Sequence, residues 1–119
     1  MKIYICGDGK IPAKKNKMRM YGGRMIKDKD VHVFESTLRL LAIREMHTIS
    51  QAVIDTPVRM DLIVTFGDKR RRDLQNLFGS VCDAINGVVY TDDSQIQEIY
   101  AMKKYEPKKW SYQIIITTL

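Results

Sequence analysis

The sequence has few of the residues that build disulfide frameworks or zinc sites. Its 119 residues include two cysteines, Cys6 and Cys82, and two histidines, His32 and His47. Two cysteines so far apart give no disulfide framework, and isolated histidines lack the clustered spacing of a zinc site. We therefore expect reduced thiols, a cytoplasmic protein and no structural zinc.

Long apolar runs are also missing. The apolar run at residues 3–6 is too short for a secretory signal. No stretch approaches the roughly 20 apolar residues that a membrane-spanning helix needs, so no membrane partner is expected. Glycine-rich phosphate-binding motifs and a Ser-His-Asp arrangement are absent as well. These absences leave other nucleic-acid and hydrolase chemistries open.

Acidic residues are the minority among the charged ones. The chain has 20 Lys and Arg against 14 Asp and Glu, which gives a formal net charge of +6. A basic protein of this size favours an acidic partner, and nucleic acid is the commonest one. The length predicts one domain over residues 1–119. The charge alone does not choose between DNA and RNA.

What is present is concentrated in residues 67–93, which read G-D-K-R-R-R-D-L-Q-N-L-F-G-S-V-C-D-A-I-N-G-V-V-Y-T-D-D. Asp73 follows a run of four cations, Lys69, Arg70, Arg71 and Arg72. Apolar residues then recur at the spacing of one helical face, which predicts an amphipathic helix over residues 74–85. Asn86-Gly87 should end this helix, because both residues tolerate the left-handed backbone.

A second acidic point, Asp92-Asp93, follows a short apolar run. Residues 87–92, if extended, are long enough to bring these acids back beside Asp73. Carboxylates that converge repel each other, Mg²⁺ relieves that repulsion, and neighbouring cations suit a phosphate. Three plainer interpretations stay open: Asp73 as a helix cap, Asp92-Asp93 as a turn, and the cations as a solvated loop.

A second basic region precedes this segment. Lys14, Lys15 and Lys17 lie in and beside a predicted loop over residues 7–16. Residues 18–21 and 24–26 flank Gly22-Gly23, a dipeptide that favours a two-residue hairpin turn. The hairpin carries Arg19 and Arg24, with Tyr21 near its tip. Cations interleaved with an aromatic residue suit a nucleic-acid contact, and a solvated hairpin is the alternative.

The rest of the chain predicts the framework. Period-two alternation predicts strands over residues 2–6, 58–66, 96–104 and 110–118. A long helix should begin at a cap formed by Asp28 or Asp30 and run to about residue 50. The expected fold class is α+β, a mixed β-sheet with two helices packed on one face plus a small basic β-hairpin.

Residues 68–96 resemble the RusA family of Holliday junction resolvases, which are small phage- and prophage-associated endonucleases. The family signature is a basic run, D-x-D-N-L, a helix ending in D-A-L-N-G, and D-D-x-Q-V/I. The corresponding stretches here are R-R-R-D-L-Q-N-L, D-A-I-N-G and D-D-S-Q-I. The resemblance implies a homodimer that uses Mg²⁺, or Mn²⁺, to nick two opposed strands of a four-way DNA junction.

The resemblance also implies site residues. Asp73 and Asp93 match the first and third family acids, and Asp92 matches the acid beside the third, so these three are the expected metal ligands. Catalysis is expected from Asp73, Asp93 and Gln75. The expected DNA contacts are the basic run at residues 69–72, Asn76 and the hairpin region, namely Lys69, Arg70, Arg71, Arg72, Asn76, Lys14, Lys15, Lys17, Arg19 and Arg24.

Two positions depart from the family pattern. A family acid falls at Gln75, and a family lysine falls at Gly79. Gln75 offers a carbonyl oxygen to a metal but no negative charge. Two functions are therefore carried forward, a junction-resolving endonuclease and a junction-binding protein with impaired cleavage. A protein-interaction domain with an incidental basic loop is the third candidate, and Asp68 is a candidate substitute acid.

Overall fold

The computed structural model describes residues 1–12, 18–21, 24–27 and 29–119, with side chains for residues 1–12 and 29–119. Its regular elements follow the chain in the order β1 Lys2–Asp8, β2 Met18–Tyr21, β3 Arg24–Lys27, α1 Lys29–Thr48, β4 Val58–Phe66, α2 Leu74–Ile85, β5 Ile96–Tyr105 and β6 Ser111–Thr118. A single 3-10 turn at Asp93–Gln95 precedes β5.

The main sheet has four strands in the order β1-β6-β4-β5. The β1–β6 and β6–β4 pairs are antiparallel, and the β4–β5 pair is parallel. Parallel neighbours cannot be joined by a tight hairpin, so the chain must cross back over the sheet between them. Helix α2 makes this crossover. It therefore begins near Phe66, at the end of β4, and returns toward Val58, where β4 starts.

One face of the sheet carries the core. Burial alternates residue by residue along β4, because one face is covered and the other is only partly shielded. Helix α1 contributes Val31, Phe34, Leu38, Ala42 and Met46 to the buried side. Helix α2 contributes Leu77, Ser80, Val81, Cys82, Ala84 and Ile85. Apart from Val31, these apolar side chains of the two helices join those of β1, β4 and β6 in one cluster. The α+β class, the mixed sheet and the two helices are thus confirmed.

The predicted basic hairpin lies only partly within the described residues. Strands β2 and β3 pair antiparallel, from Met18 opposite Lys27 to Tyr21 opposite Arg24. Gly22-Gly23, Lys14, Lys15 and Lys17 lie outside the described residues, as do the side chains of Arg19 and Arg24, so the turn and its DNA contacts stay predictions.

The start of α1 also differs from the expectation. Asp28 lies outside the described residues. Because α1 begins at Lys29, Asp30 sits in the first turn of the helix and is not its cap. Within the described part of the chain, no helix is long and apolar enough to cross a membrane.

The close packing of β1 against β6 gives a first prediction. Gly7 lies opposite Tyr112, and a Cβ at Gly7 would fall 2.3 Å from the Tyr112 ring. Tyr112 is buried, so its ring cannot move aside without disturbing the core. We expect Gly7→Ala to lower the free energy of unfolding by about 1–3 kcal/mol, the usual cost of overpacking.

Gly79→Ala is the matched control. A Cβ at Gly79 meets nothing within 4 Å. Alanine is favoured over glycine inside a helix by about 0.5–1 kcal/mol, so this variant should be more stable than the parent. Urea unfolding measures both changes. Equal stability of Gly7→Ala and the parent protein would contradict the packing.

Candidate active site

The basic loop, residues 67–72, connects β4 to α2 and is organised by the Asp68 carboxylate. Arg70 N donates to Asp68 Oδ1 at 3.0 Å. Arg72 donates through both terminal nitrogens, from Nη2 to Asp68 Oδ2 at 3.1 Å and from Nη1 to Asp68 Oδ1. The hydrogen bond from Arg72 is the main reason that the pKa of Asp68 falls from 3.8 to about 2. Both oxygens of Asp68 thus serve the loop, which weakens the idea that it replaces a missing metal ligand.

The four cations of the loop have different surroundings. The Arg72 guanidinium lies 5.0 Å from the Phe66 ring centroid and 4.8 Å from that of Trp110. Only 22% of the Arg72 side chain is exposed. Lys69 Nζ lies 5.0 Å from the Tyr105 ring centroid. Arg70 and Arg71 are exposed, and their side chains have no bonding partner among the residues that the structure describes. These two are the cations most accessible to a phosphate.

Asp73 is the N-cap of α2. Its Oδ1 accepts a hydrogen bond from Gln75 N at 2.9 Å, which satisfies one free N–H of the first helical turn. The carboxylate is exposed. Capping occupies one carboxylate oxygen, so the second can still bind a cation. The two interpretations of Asp73, cap and ligand, are therefore compatible.

Asp73 also lines a cleft. This cavity of about 680 Å³ is bordered by Arg71, Arg72, Asn76 and Lys103 as well. An acid, three cations and an amide thus line one concave surface. A second cavity of about 830 Å³ shares Arg71 and Arg72 with it and is also lined by the cations Lys10, Lys29 and Arg70 and by the acids Asp8 and Asp30. Cations therefore outnumber acids in both cavities.

Asp93 begins the 3-10 turn before β5, and Asp92 is its N-cap. Asp92 Oδ2 accepts from Ser94 N at 3.1 Å, and Gln95 Oε1 accepts from Asp92 N at 2.8 Å, a reciprocal capping box. The hydrogen bonds from Ser94 are the main cause of a lowered pKa for Asp92. Gln95 Nε2 also donates to the carbonyls of Ile54 and Thr56, both at 2.9 Å. The turn is thereby fastened close to the start of β4.

Residues 87–89 form a turn after α2, so the extended path considered for residues 87–92 is wrong. Val88 N and Val89 N both donate to Ile85 O, at 3.0 and 3.2 Å, and Tyr90 Oη donates to Cys82 O at 3.4 Å. Val89 and Tyr90 are fully buried. Burying them while filling carbonyls at the end of α2 favours a tight turn over an extended segment. Gly87 adopts φ 79°, the left-handed conformation expected there.

Asp93 lies toward the C-terminal end of α2, because its turn is anchored to Ile54 and Thr56, just before β4. Burial raises the pKa of Cys82 to about 11, and the charges of Asp93 and Asp83 add to this rise. Asp73 is at the other end of the helix, and the nine residues from Asp73 to Cys82 span roughly 13 Å.

No group of three or more His, Cys, Asp or Glu side chains is arranged to hold a metal in the described ranges, residues 13–28 being mostly excluded from that search. Asp73, Asp92 and Asp93 all lie in the described part of the chain, so the structure does not bring their three carboxylates together as one metal site, and their role as metal ligands stays a prediction. Their chemistry nevertheless suits Mg²⁺. All three carboxylates are exposed, and Mg²⁺ needs only one or two of them when water and a substrate phosphate supply the other oxygens.

Two residues of this region, Asp83 and Lys103, are not among the site residues predicted from the sequence. Asp83 follows Gln75 and Gly79 at four-residue intervals, so the three share one stripe of α2. That spacing could have identified Asp83. Lys103 borders the cleft only because β5 pairs with β4, with Val64 opposite Lys103. No local pattern reveals that pairing.

The chain matches the model of a known protein family. Residues 8–117 match the family model for Endodeoxyribonuclease RusA. The chain belongs to the RusA endodeoxyribonuclease family, whose members are DNA-binding endonucleases of Holliday junction resolution and recombination. No curated protein matches the chain. The family resemblance of residues 68–96 thus extends over nearly the whole chain.

The Asp68–Arg72 bond gives a prediction that needs no DNA. Because the folded-state pKa of Asp68 is lowered, its contribution to stability is present above about pH 4 and is lost as the pH falls toward 2. The ¹³C carboxyl resonance of Asp68 should still report a carboxylate at about pH 3. In Arg72→Gln the titration midpoint should return toward 3.8. An unchanged midpoint in Arg72→Gln would show that the bond is absent in solution.

Proposed function

We propose that this protein resolves four-way DNA junctions by paired, Mg²⁺-dependent nicks. The observation that carries the proposal is the cleft in which Asp73 lies with Arg71, Asn76 and Lys103, in a chain of the RusA family. Acids that can hold a metal and cations that can hold a phosphate are what phosphodiester hydrolysis requires.

One group of residues would bind the DNA backbone, and another would take part in the reaction. Arg70, Arg71 and Lys103 would pair with backbone phosphates around the cleft, and Asn76 would donate a hydrogen bond from its amide. The N-terminus of α2 adds a favourable potential for an anion. The hairpin cations, Lys14, Lys15, Lys17, Arg19 and Arg24, would extend the contact along the DNA.

The acidic residues would bind the metal ion. Asp73, Asp93 and Asp92 are the proposed ligands, and Gln75 can add a neutral carbonyl oxygen. When bound, Mg²⁺ or Mn²⁺ supplies an activated water and offsets charge on the phosphate. Because the capping bond to Gln75 N uses only Oδ1 of Asp73, the second oxygen would remain for the metal.

Two opposed nicks require two sites. We therefore propose a homodimer, because a two-fold assembly places one site on each of two symmetric strands. We place the activity in the cytoplasm, where both thiols would remain reduced. The free state of Cys6 and Cys82 is compatible with that compartment.

Asp73→Asn tests the chemistry. Asparagine caps a helix about as well as aspartate, so folding should be preserved. Cleavage of a labelled four-way junction should fall at least about a hundredfold, since even outer-shell partners of a metal cost 10–100-fold. Junction binding in a gel shift with chelator should persist.

Glu98→Gln is the matched control for that experiment. It makes the same charge change at an exposed acid of β5 that lines neither cavity and contacts only Arg59, at 3.8 Å, among the ion pairs of the described residues, so it should cleave like the parent. Full cleavage by Asp73→Asn would remove Asp73 from the site. Equal, weak binding to junction and duplex DNA would favour an interaction domain whose basic loop is incidental.

A second function has its own support. Gln75 and Gly79 stand where the family pattern has an acid and a lysine, which favours junction binding with impaired cleavage. A side chain at Gly79 meets open space, so a lysine can be added there without steric conflict. It would stand one helical turn from both Gln75 and Asp83.

The double variant Gln75→Asp, Gly79→Lys separates the two functions. If the departures limit catalysis, cleavage should rise by about tenfold or more at fixed Mg²⁺, with Gly79→Ala as the control for helix stability. Product from the double variant and none from the parent would establish the binding function. Equal cleavage by the two proteins would show that the departures do not limit the reaction.

A further inference from the structure

Trp110 is the point at which three connecting segments meet. Gly9 N donates to Trp110 O at 2.8 Å, and Lys10 Nζ lies 4.5 Å from the ring centroid. A Cβ at Gly67 would fall 2.4 Å from Trp110 Nε1, so the basic loop also approaches the ring closely. Phe66 packs edge-on against it, with centroids 6.2 Å apart. The ring is therefore fixed by its neighbours at this end of the sheet.

Arg72 is held between this aromatic surface and Asp68. Its guanidinium lies 4.8 Å from the Trp110 centroid, and both terminal nitrogens donate to the Asp68 carboxylate. Nη1 also donates to Arg70 O at 3.3 Å. A forked bond to a carboxylate is a geometry that arginine can make and lysine cannot. Binding a phosphate through the same nitrogens would require breaking these contacts.

Because Arg72 adjoins other residues of the site in the chain, the contacts that hold it also affect those neighbours. It directly follows the exposed pair Arg70 and Arg71, and it directly precedes the cap Asp73. Fixing Arg72 thus limits the directions in which Arg70 and Arg71 can point. It also fixes the backbone that presents Asp73 to the cleft.

We propose that Arg72 is a positioning residue, held by Asp68 and Trp110, which orients Arg70, Arg71 and Asp73 and does not itself bind a phosphate. This assignment revises the expectation that all four cations of the loop contact DNA. The cleavage assay that tests this assignment rests on the proposed function, whereas the measurement of Trp110 fluorescence in the free protein does not.

The sign of the charge change makes Asp68→Asn informative. This variant removes a negative charge and leaves the loop more basic. If the loop acts only through its charge, junction binding should tighten. If Asp68 holds Arg72 in place, junction binding should weaken and cleavage should fall by about tenfold or more, since small misplacements of catalytic groups are costly.

Arg72→Lys tests the same point with the charge preserved. A phosphate contact would largely survive this change, whereas a forked and stacked contact would not. We expect Arg72→Lys to match Asp68→Asn in binding and cleavage, and the double variant to be no worse than the weaker single one. Arg71→Gln is the control: it should lower the salt dependence of binding by about one phosphate contact.

Trp110 supplies a readout on the free protein, because it is the only tryptophan in the chain. Its fluorescence emission should change in Asp68→Asn and Arg72→Lys and stay unchanged in Arg71→Gln, with urea unfolding confirming that each variant is folded. Unchanged emission together with parent-like binding in Arg72→Lys would overturn the proposal. If no protein cleaves DNA, emission and junction binding still decide it.

Discussion

The parallel pairing of β4 with β5 is the constraint on which the candidate site depends. It forces the chain to cross over the sheet, and α2 makes the crossing. The basic loop and Asp73 therefore lie at one end of the helix, and the turn with Asp92 and Asp93 is anchored close to the start of β4. A site that uses acids from both points must involve the stripe of α2 between them.

The framework could be predicted because it depends on local periodicity. Alternation along β4 and the helical spacing of α2 each reflect burial on one face, and the structure keeps both. The path of residues 87–92 could not be predicted in the same way. It depends on burying Val89 and Tyr90 and on the bridge between Tyr90 and Ile54, which is a tertiary contact.

The site shows the same division between local and distant causes. Asp73 as a cap follows from its place before an amphipathic helix, and the structure confirms that role. The surroundings of Arg72 could not be predicted, because Trp110 and Phe66 approach it only after the sheet has formed. A run of four cations looks uniform in sequence, yet aromatic and acidic neighbours make each member different.

An amide at Gln75 should affect DNA binding and cleavage in opposite directions. An amide in place of a carboxylate removes one negative charge beside the cleft, which weakens the attraction for a metal and lessens the repulsion of a phosphate. The exposed cations Arg70 and Arg71 and the N-terminus of α2 all favour the phosphate as well. The exposed cations therefore favour DNA binding, whereas the proposed cleavage would depend on the few acids that remain. On these grounds we propose that affinity for branched DNA is the more robust property of this chain, and that Gln75 and Gly79 limit the rate of cleavage.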